Sequence, residues 1–221
     1  ANLKNQGYDV VLVSSGAIAA GRAKLNLKER PKETSDKQAA AAVGQVALTN
    51  IYDRSLVSYG YNSAQVLLTR TIEVDQEMRV NAENTFEKLL GMNVIPIINE
   101  NDTISTYEIK FGDNDTLSAV IARMIKADLL IMLTDIEGLY TDDPRKNPDA
   151  KIIHEVADIN EVEGMAKETE SNVGTGGMYT KIKAAKLAIE KDIEVVIGSG
   201  EKMKIIRDIV KGEEIGTYFK C

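Results

Sequence analysis

Cysteine occurs once in the 221 residues, as Cys221, so no disulfide can form within the chain. That fits a reducing compartment, and a cytoplasmic location is the expectation. Histidine also occurs once, as His154. One Cys and one His exclude Cys/His zinc sites and argue against a Cys-His dyad. Tryptophan is absent and aromatics make up 5% of the chain, too few for a base-stacking platform. Positive charge is in the minority, with 27 Lys and Arg against 34 Asp and Glu and a net charge of −7. This balance argues against nucleic acid and against anionic membrane as partners. A small anionic ligand stays possible, because it needs only a local cluster of donors. No apolar run approaches the roughly 20 residues of a membrane span. None exceeds five residues, as in Leu129–Leu133, which Asp128 separates from Ala127.

Hydrophobic residues at 43% and charged residues at 28% are ordinary for a globular protein and exclude a disordered chain. A chain of this length buries about 70% of its unfolded surface, enough for one sizeable core. No repeat, low-complexity tract or Gly/Ser linker divides it, so one domain over 1–221 is expected, with no second domain. Ala1–Gly7 reads as the tail of a helix, and further residues are expected before Ala1.

Short apolar runs alternate with helical patterns along the chain. Strands are expected at Asp9–Val13, Asn62–Leu68, Asn93–Ile98, Asp128–Leu133 and Ile193–Ile197. Helices are expected at Ala17–Leu25, Lys37–Ser58, Val80–Leu90, Asp115–Lys126, Thr180–Lys191 and Lys202–Lys211. Pro96 cannot donate to a ladder and is placed at a strand edge or start. Asp128–Leu133 reads as a buried strand. Continuous apolar strands separated by helices indicate a mostly parallel sheet covered on both faces. In such folds ligands bind beyond the C-terminal ends of the strands. The loops to inspect are therefore Ser14–Ala17, Asn99–Thr103, Thr134–Tyr140 and Gly198–Gly200.

Ser14-Ser15-Gly16-Ala17 follows a strand and opens a helix, so its N–H groups suit either an anion or an ordinary N-cap turn. Gly174-Thr175-Gly176-Gly177-Met178-Tyr179-Thr180-Lys181 is a stronger signal. Its glycines let successive N–H groups face one concavity, and Lys181 adds a cation on the next helix. The spacing is not that of a P-loop, and the alternative is a surface loop. Asn99-Glu100-Asn101-Asp102 places amides and carboxylates at a strand end, where they cost stability unless something pairs with them. They suit an ammonium, a hydroxyl or a metal, or else a solvated turn. Phe111–Ser118 precedes an apolar helix, and one N-cap explains only one of Asp113, Asn114 and Asp115. Thr134 and Asp135 suit nucleotide or metal-water contacts, or else a turn capped by Asp135. His154 reads as surface or structural.

Five blocks in order carry a resemblance: Val13–Gly21, Lys37–Gln45, Ile97–Asp102, Phe111–Ala119 and Gly174–Lys181. Together they resemble the amino acid kinase family, and within it the glutamate 5-kinases, from about Tyr8 to Phe219. The resemblance implies an α/β fold, a three-layer αβα sandwich with a mostly parallel central sheet. It implies transfer of the ATP γ-phosphoryl group to the side-chain carboxylate of L-glutamate, giving γ-glutamyl phosphate, the first step towards proline. ATP with Mg²⁺ is the implied cofactor, and no residue is assigned as a metal ligand. A homo-oligomer, dimer or tetramer, and a downstream γ-glutamyl phosphate reductase are the implied partners.

By matching motifs, Lys181 resembles the lysine that stabilises the transferring phosphoryl group, and Asp115 the carboxylate that orients catalytic lysines. Ser15, Asp102 and Asn114 resemble glutamate contacts. Thr134, Asp135, Thr175, Gly176, Gly177, Met178, Tyr179, Thr180 and Lys181 resemble ATP contacts. The family begins with a strand bearing a catalytic lysine and a Gly-Ser turn, for which 1–221 has no counterpart. The expectation is that this strand lies outside the numbering, and that the 221 residues by themselves are inactive. Many bacterial members also carry a small C-terminal β domain that has no counterpart in 1–221. Two rivals stand beside this reading: another carboxylate kinase of the family, such as an acetylglutamate kinase, and an inactive amino-acid-binding fragment.

Overall fold

The computed structural model describes residues 1–105, 114–162, 177–202 and 204–221. The chain divides into two compact units, Ala1–Asn114 and Asp115–Cys221.

In the first unit, helix α1 (Asn2–Asn5) leads to strand β1 (Leu12–Val13). Helices α2 (Ala17–Lys24) and α3 (Thr34–Val57) follow, then β2 (Ser63–Leu68), α4 (Gln76–Gly91) and β3 (Ile95–Glu100). A 3₁₀ turn at Arg70–Glu73 precedes α4. The strands make one parallel sheet in the order β1-β3-β2. Asp75 caps α4 by accepting the N–H of Met78 at 2.9 Å, so the helix begins at Gln76, four residues before the start expected from the apolar pattern at Val80.

Pro96 is the second residue of β3, the central strand. Parallel pairing explains how it is tolerated, because successive residues bond to opposite neighbours. Ile95 donates its N–H towards β2, to Asn62 O at 3.0 Å, whereas Ile98 O accepts from Ser14 N at 2.9 Å on the β1 side. Pro96 therefore lacks an N–H only towards β1, and that ladder begins one residue later, at Leu12↔Ile97.

Helices α2 and α3 touch backbone to backbone. A Cβ on Gly21 would fall on the carbonyl of Ala40, and one on Gly44 on the carbonyl of Ala17. This approach seats Gln45, next to Gly44 and buried, against Asn99 of β3.

In the second unit α5 (Asn114–Met124, begun by the last residue of the first) precedes β4 (Leu129–Thr134). Short strands β5 (Leu139–Tyr140), β6 (Ile152–Ile153) and β7 (Glu155–Val156) follow. Then come α6 (Gly177–Ile189), β8 (Glu194–Ser199), α7 (Ile205–Val210) and β9 (Thr217–Phe219). The sheet runs β4-β8-β9-β7, with β9 antiparallel to β8 and the other pairs parallel. Beside it, β5 and β6 pair antiparallel. Ala119 and Ala122 of α5 and Ile182, Ala184, Ala185 and Ala188 of α6 pack with Val195, Ile197 and Phe219 in one core. Ile205 and Ile209 of α7 pack with Val196 in another. Successive residues of β8 thus enter opposite cores, which is why the strand is continuously apolar.

Strand β4 is not the buried strand its composition suggests. It lies at the edge of this sheet, only Met132 is buried, and Leu133 is 43% exposed. An apolar run marks a strand, but a strand with a neighbour on one side only stays half-covered. Among the described residues no helix is long and apolar enough to cross a membrane.

Candidate active site

Each unit brings together some of the residues singled out above. In the first, Ser14–Gly16 leaves the C-terminal end of β1, and Gly16 adopts φ 110°, a conformation that favours glycine. Ser15 is exposed there, and its Oγ accepts from Asn114 Nδ2 at 2.7 Å. The same Nδ2 reaches Asn99 Oδ1 at 2.9 Å and Ser14 O at 3.2 Å. Asn99 Nδ2 in turn donates to Gln45 Oε1 at 2.9 Å. Ser15 and Asn114 are thus brought together, with Asn99 and Gln45 behind them.

Asp102 lies in the turn after β3 and is 6% exposed. Among the described residues, three buried oxygens in this region have no hydrogen-bond partner: Glu100 Oε2, Asp102 Oδ1 and Asn114 Oδ1. The other carboxylate oxygen of Glu100 accepts from the Ser105 hydroxyl. Burial, and then the neighbouring Glu100 charge, push the Asp102 carboxyl up to about 6. Buried acceptors without donors are costly, and a bound cation with several N–H groups would relieve them.

In the second unit Asp115 and Lys181 form a half-buried pair, with Nζ 3.0 and 3.1 Å from the two carboxylate oxygens. The Thr180 hydroxyl donates to Asp115 Oδ2 at 2.7 Å. Thr180 and Lys181 stand in the first turns of α6, and Asp115 in the first turn of α5, so two helix starts supply the cluster. Met178 packs against the core of this unit, and the Tyr179 ring lies 4.5 Å from Lys183 Nζ. Gly177 opens α6. Thr175 and Gly176 lie outside the described residues.

Thr134 and Asp135 stand at the C-terminal end of β4. Thr134 Oγ1 donates to Asp135 Oδ1 at 3.1 Å, and Asp135 pairs with Arg145 at 3.0 Å. Gly200 N–H donates to Thr134 O at 2.8 Å, which places the loop after β8 beside the loop after β4. An exposed Lys202–Glu137 pair at 2.6 Å bridges the same two loops. His154 serves the fold: its Nδ1 lies 3.2 Å from Gly216 O.

Sequence reasoning missed Gln45. One signal could have found it: a lone amide at a buried position of an Ala- and Gly-rich helix face needs a polar partner. Glu100 was seen only as part of its loop, and its near-complete burial follows from its place at the end of a central strand.

Residues 1–199 match the amino acid kinase family profile. A glutamate 5-kinase of Clostridium tetani is 50% identical over 221 residues, covering 100% of this chain and 83% of its own length. A glutamate 5-kinase of Clostridium acetobutylicum is 52% identical over 220 residues, covering 99% and 82%. One of Carboxydothermus hydrogenoformans is 50% identical over 220 residues, and the chain covers 59% of its length. Among solved structures, the carbamate kinase of Giardia lamblia bound to AMP-PNP superposes with a TM-score of 0.64 at 17% identity, over 99% of this chain and 85% of its own. The isopentenyl phosphate kinase of T. acidophilum, a product complex, gives 0.61 at 18% identity, over 96% and 83%. At such identities the likeness is one of fold. With residues 1–199 matched, the chain belongs to the amino acid kinase family.

Proposed function

We propose that this chain phosphorylates the side-chain carboxylate of L-glutamate with ATP, giving γ-glutamyl phosphate, as the first step of proline biosynthesis in the cytoplasm. The observation that carries the choice of substrate is the buried, unspent carboxylate of Asp102 beside Glu100. A free amino acid brings an α-ammonium to such a site. An N-acetylated amino acid brings no charge there and leaves the carboxylate unpaired, at a cost of about 1–3 kcal/mol. The glutamate 5-kinases that share about half of this sequence support the same reading.

Phosphoryl transfer requires positioning and positive charge on the transferring group, with little covalent work by the protein. In this reading Ser15, Asp102 and Asn114 hold glutamate. Lys181 neutralises charge on the phosphoryl oxygens, and Asp115 with Thr180 holds the lysine in place. Thr134, Asp135 and the loop 175–181 hold the nucleotide. Mg²⁺ arrives with ATP as its counter-ion, bound chiefly by phosphate oxygens. The γ-carboxylate of glutamate is ionised at neutral pH and needs no general base. A homo-oligomer and a γ-glutamyl phosphate reductase that uses the product complete the proposal, with 1–221 as kinase domain.

The test is ADP release by the full-length protein with glutamate, N-acetylglutamate or aspartate as acceptor. Glutamate is expected to be preferred by at least about 100-fold in kcat/KM. Preference for N-acetylglutamate would overturn the reading.

A further inference from the structure

The hydrogen bonds behind Ser15 and Asn114 run in one direction, and backbone groups set that direction. Glu100 N–H, which can only donate, meets Asn99 Oδ1 at 2.8 Å. Asn99 Nδ2 therefore faces Gln45, and Gln45 must present Oε1 to it. At the far end Ser14 C=O, which can only accept, faces Asn114 Nδ2 at 3.2 Å. Behind Gln45 the direction is fixed once more. The Thr49 hydroxyl gives its proton to Gln45 O at 2.9 Å, so Thr49 Oγ1 is left to accept. It accepts from Gln45 Nε2 at 3.3 Å and from Gln65 Nε2 at 3.0 Å.

Amide orientation is normally ambiguous. Here each of the amides of Gln45, Asn99 and Asn114 has one allowed orientation. The consequence falls on Asn114. Its Nδ2 faces Ser14 O, Ser15 Oγ and Asn99 Oδ1, more acceptors than it has hydrogens. Its Oδ1 is buried and has no partner among the described residues. The relay spends every donor of Asn114 inside the protein and keeps its acceptor for a ligand.

We infer that Gln45 is a positioning residue for the amino-acid substrate: through Asn99 it holds the Asn114 amide so that Oδ1 is an acceptor for the substrate ammonium. This rests on the glutamate reading above and deepens it. The reading needs a donor-rich ligand, and the relay supplies a neutral acceptor to accompany the Asp102 carboxylate. Loss of the Gln45 acceptor leaves the Asn99 amide held by the Glu100 N–H alone, so Asn99 Oδ1 is held less firmly against Asn114 Nδ2 and the Asn114 amide loses part of what keeps its Oδ1 in place for the ammonium.

The experiment uses Gln45→Leu and Gln45→Glu in the full-length protein. Gln45→Leu is expected to raise glutamate KM about 10-fold or more while kcat and ATP KM change less than about 2-fold. Gln45→Glu keeps an acceptor for Asn99, and the Thr49 hydroxyl can turn to donate to it, so glutamate KM is expected within about 3-fold of the parent. Side-chain ¹⁵N NMR of the unliganded parent protein adds a readout that needs no variant: the Asn99 and Asn114 amide protons are expected to exchange slowly. An unchanged glutamate KM in Gln45→Leu, equal damage from both variants, or fast exchange of both amides overturns the inference alone. A parent protein with no glutamate-dependent ADP release overturns the functional reading, and this use of Gln45 with it.

Discussion

Lys181 and Asp115 are held face to face, with Nζ at 3.0 and 3.1 Å from the two carboxylate oxygens and the Thr180 hydroxyl at 2.7 Å from one of them. The carboxylate therefore receives a cation and a hydroxyl from consecutive residues of one helix. This limits the freedom of a long side chain whose charge would otherwise swing through solvent. A lysine anchored at rest needs little reorganisation when charge develops on a transferring phosphoryl group.

Lys181→Met is expected to lower kcat by at least about 100-fold, with a smaller change in glutamate KM, because its charge matters most in the transition state. Asp115→Asn is expected to lower kcat by about 10-fold or more while leaving the protein folded, since the lysine loses its anchor but keeps its charge. Steady-state kinetics on the full-length variants decide it. Near-parental turnover in Lys181→Met would remove this lysine from the mechanism.

Asp102 makes the pH dependence of substrate binding specific. Its carboxyl is raised to about 6, first by burial and then by Glu100. An ammonium binds the ionised form, so binding is full above that value and weakens as pH falls through it. Glutamate KM is expected to rise about 10-fold per pH unit below about pH 6 and to level off above pH 7. Asp102→Asn should show a high KM that no longer varies between pH 5 and 7 on the order of that slope. A sloping profile in the variant would assign the titration to another group.

The contact of α2 with α3 leaves no room for a methyl group. Gly44→Ala places Cβ on the Ala17 carbonyl and against Gly21 N, so backbone must move. A destabilisation of about 2–3 kcal/mol or more is expected. In thermal unfolding this corresponds to a drop of about 6 °C or more. Because Gln45 is the next residue, glutamate KM is expected to rise as well. An unchanged melting temperature would mean the helices stand further apart than described.

Thr217 joins three strands of the second unit. It is fully buried, its Oγ1 accepts the Leu139 N–H at 2.7 Å and donates to Ile153 O at 2.6 Å, and Gly138 leaves room for it. Thr217→Val keeps the shape and removes both bonds, taking this partner from the buried Leu139 N–H and from the half-buried Ile153 C=O. Each unmet group costs about 1–3 kcal/mol, so a loss of about 2–4 kcal/mol is expected in urea unfolding. Thr217→Ser, which keeps the hydroxyl, should recover most of it.

Local rules made much of this protein legible in one dimension. Strand–turn–helix units with apolar strands and small-residue turns are set by steric and hydrophobic preferences of neighbouring residues. The runs ending at Val13, Leu68, Ile98, Leu133 and Ile197 therefore marked strands, to within two residues at either end for β2 to β4 and β8. The ordered blocks from Val13 to Lys181 indicated the family, which 199 matched residues now show. What the sequence could not settle depends on partners far along the chain. Whether Leu129–Thr134 is buried depends on whether strands flank it on both sides, not on its own composition. Thr217–Phe219 becomes a strand only because β8 and β7 lie on either side of it. Gln45 matters because a glycine contact brings α3 against α2 and sets its amide 2.9 Å from Asn99, 54 residues away. Residue type fixes what a side chain can donate or accept. Only the fold decides which buried acceptors are left unspent, because that depends on every donor within reach.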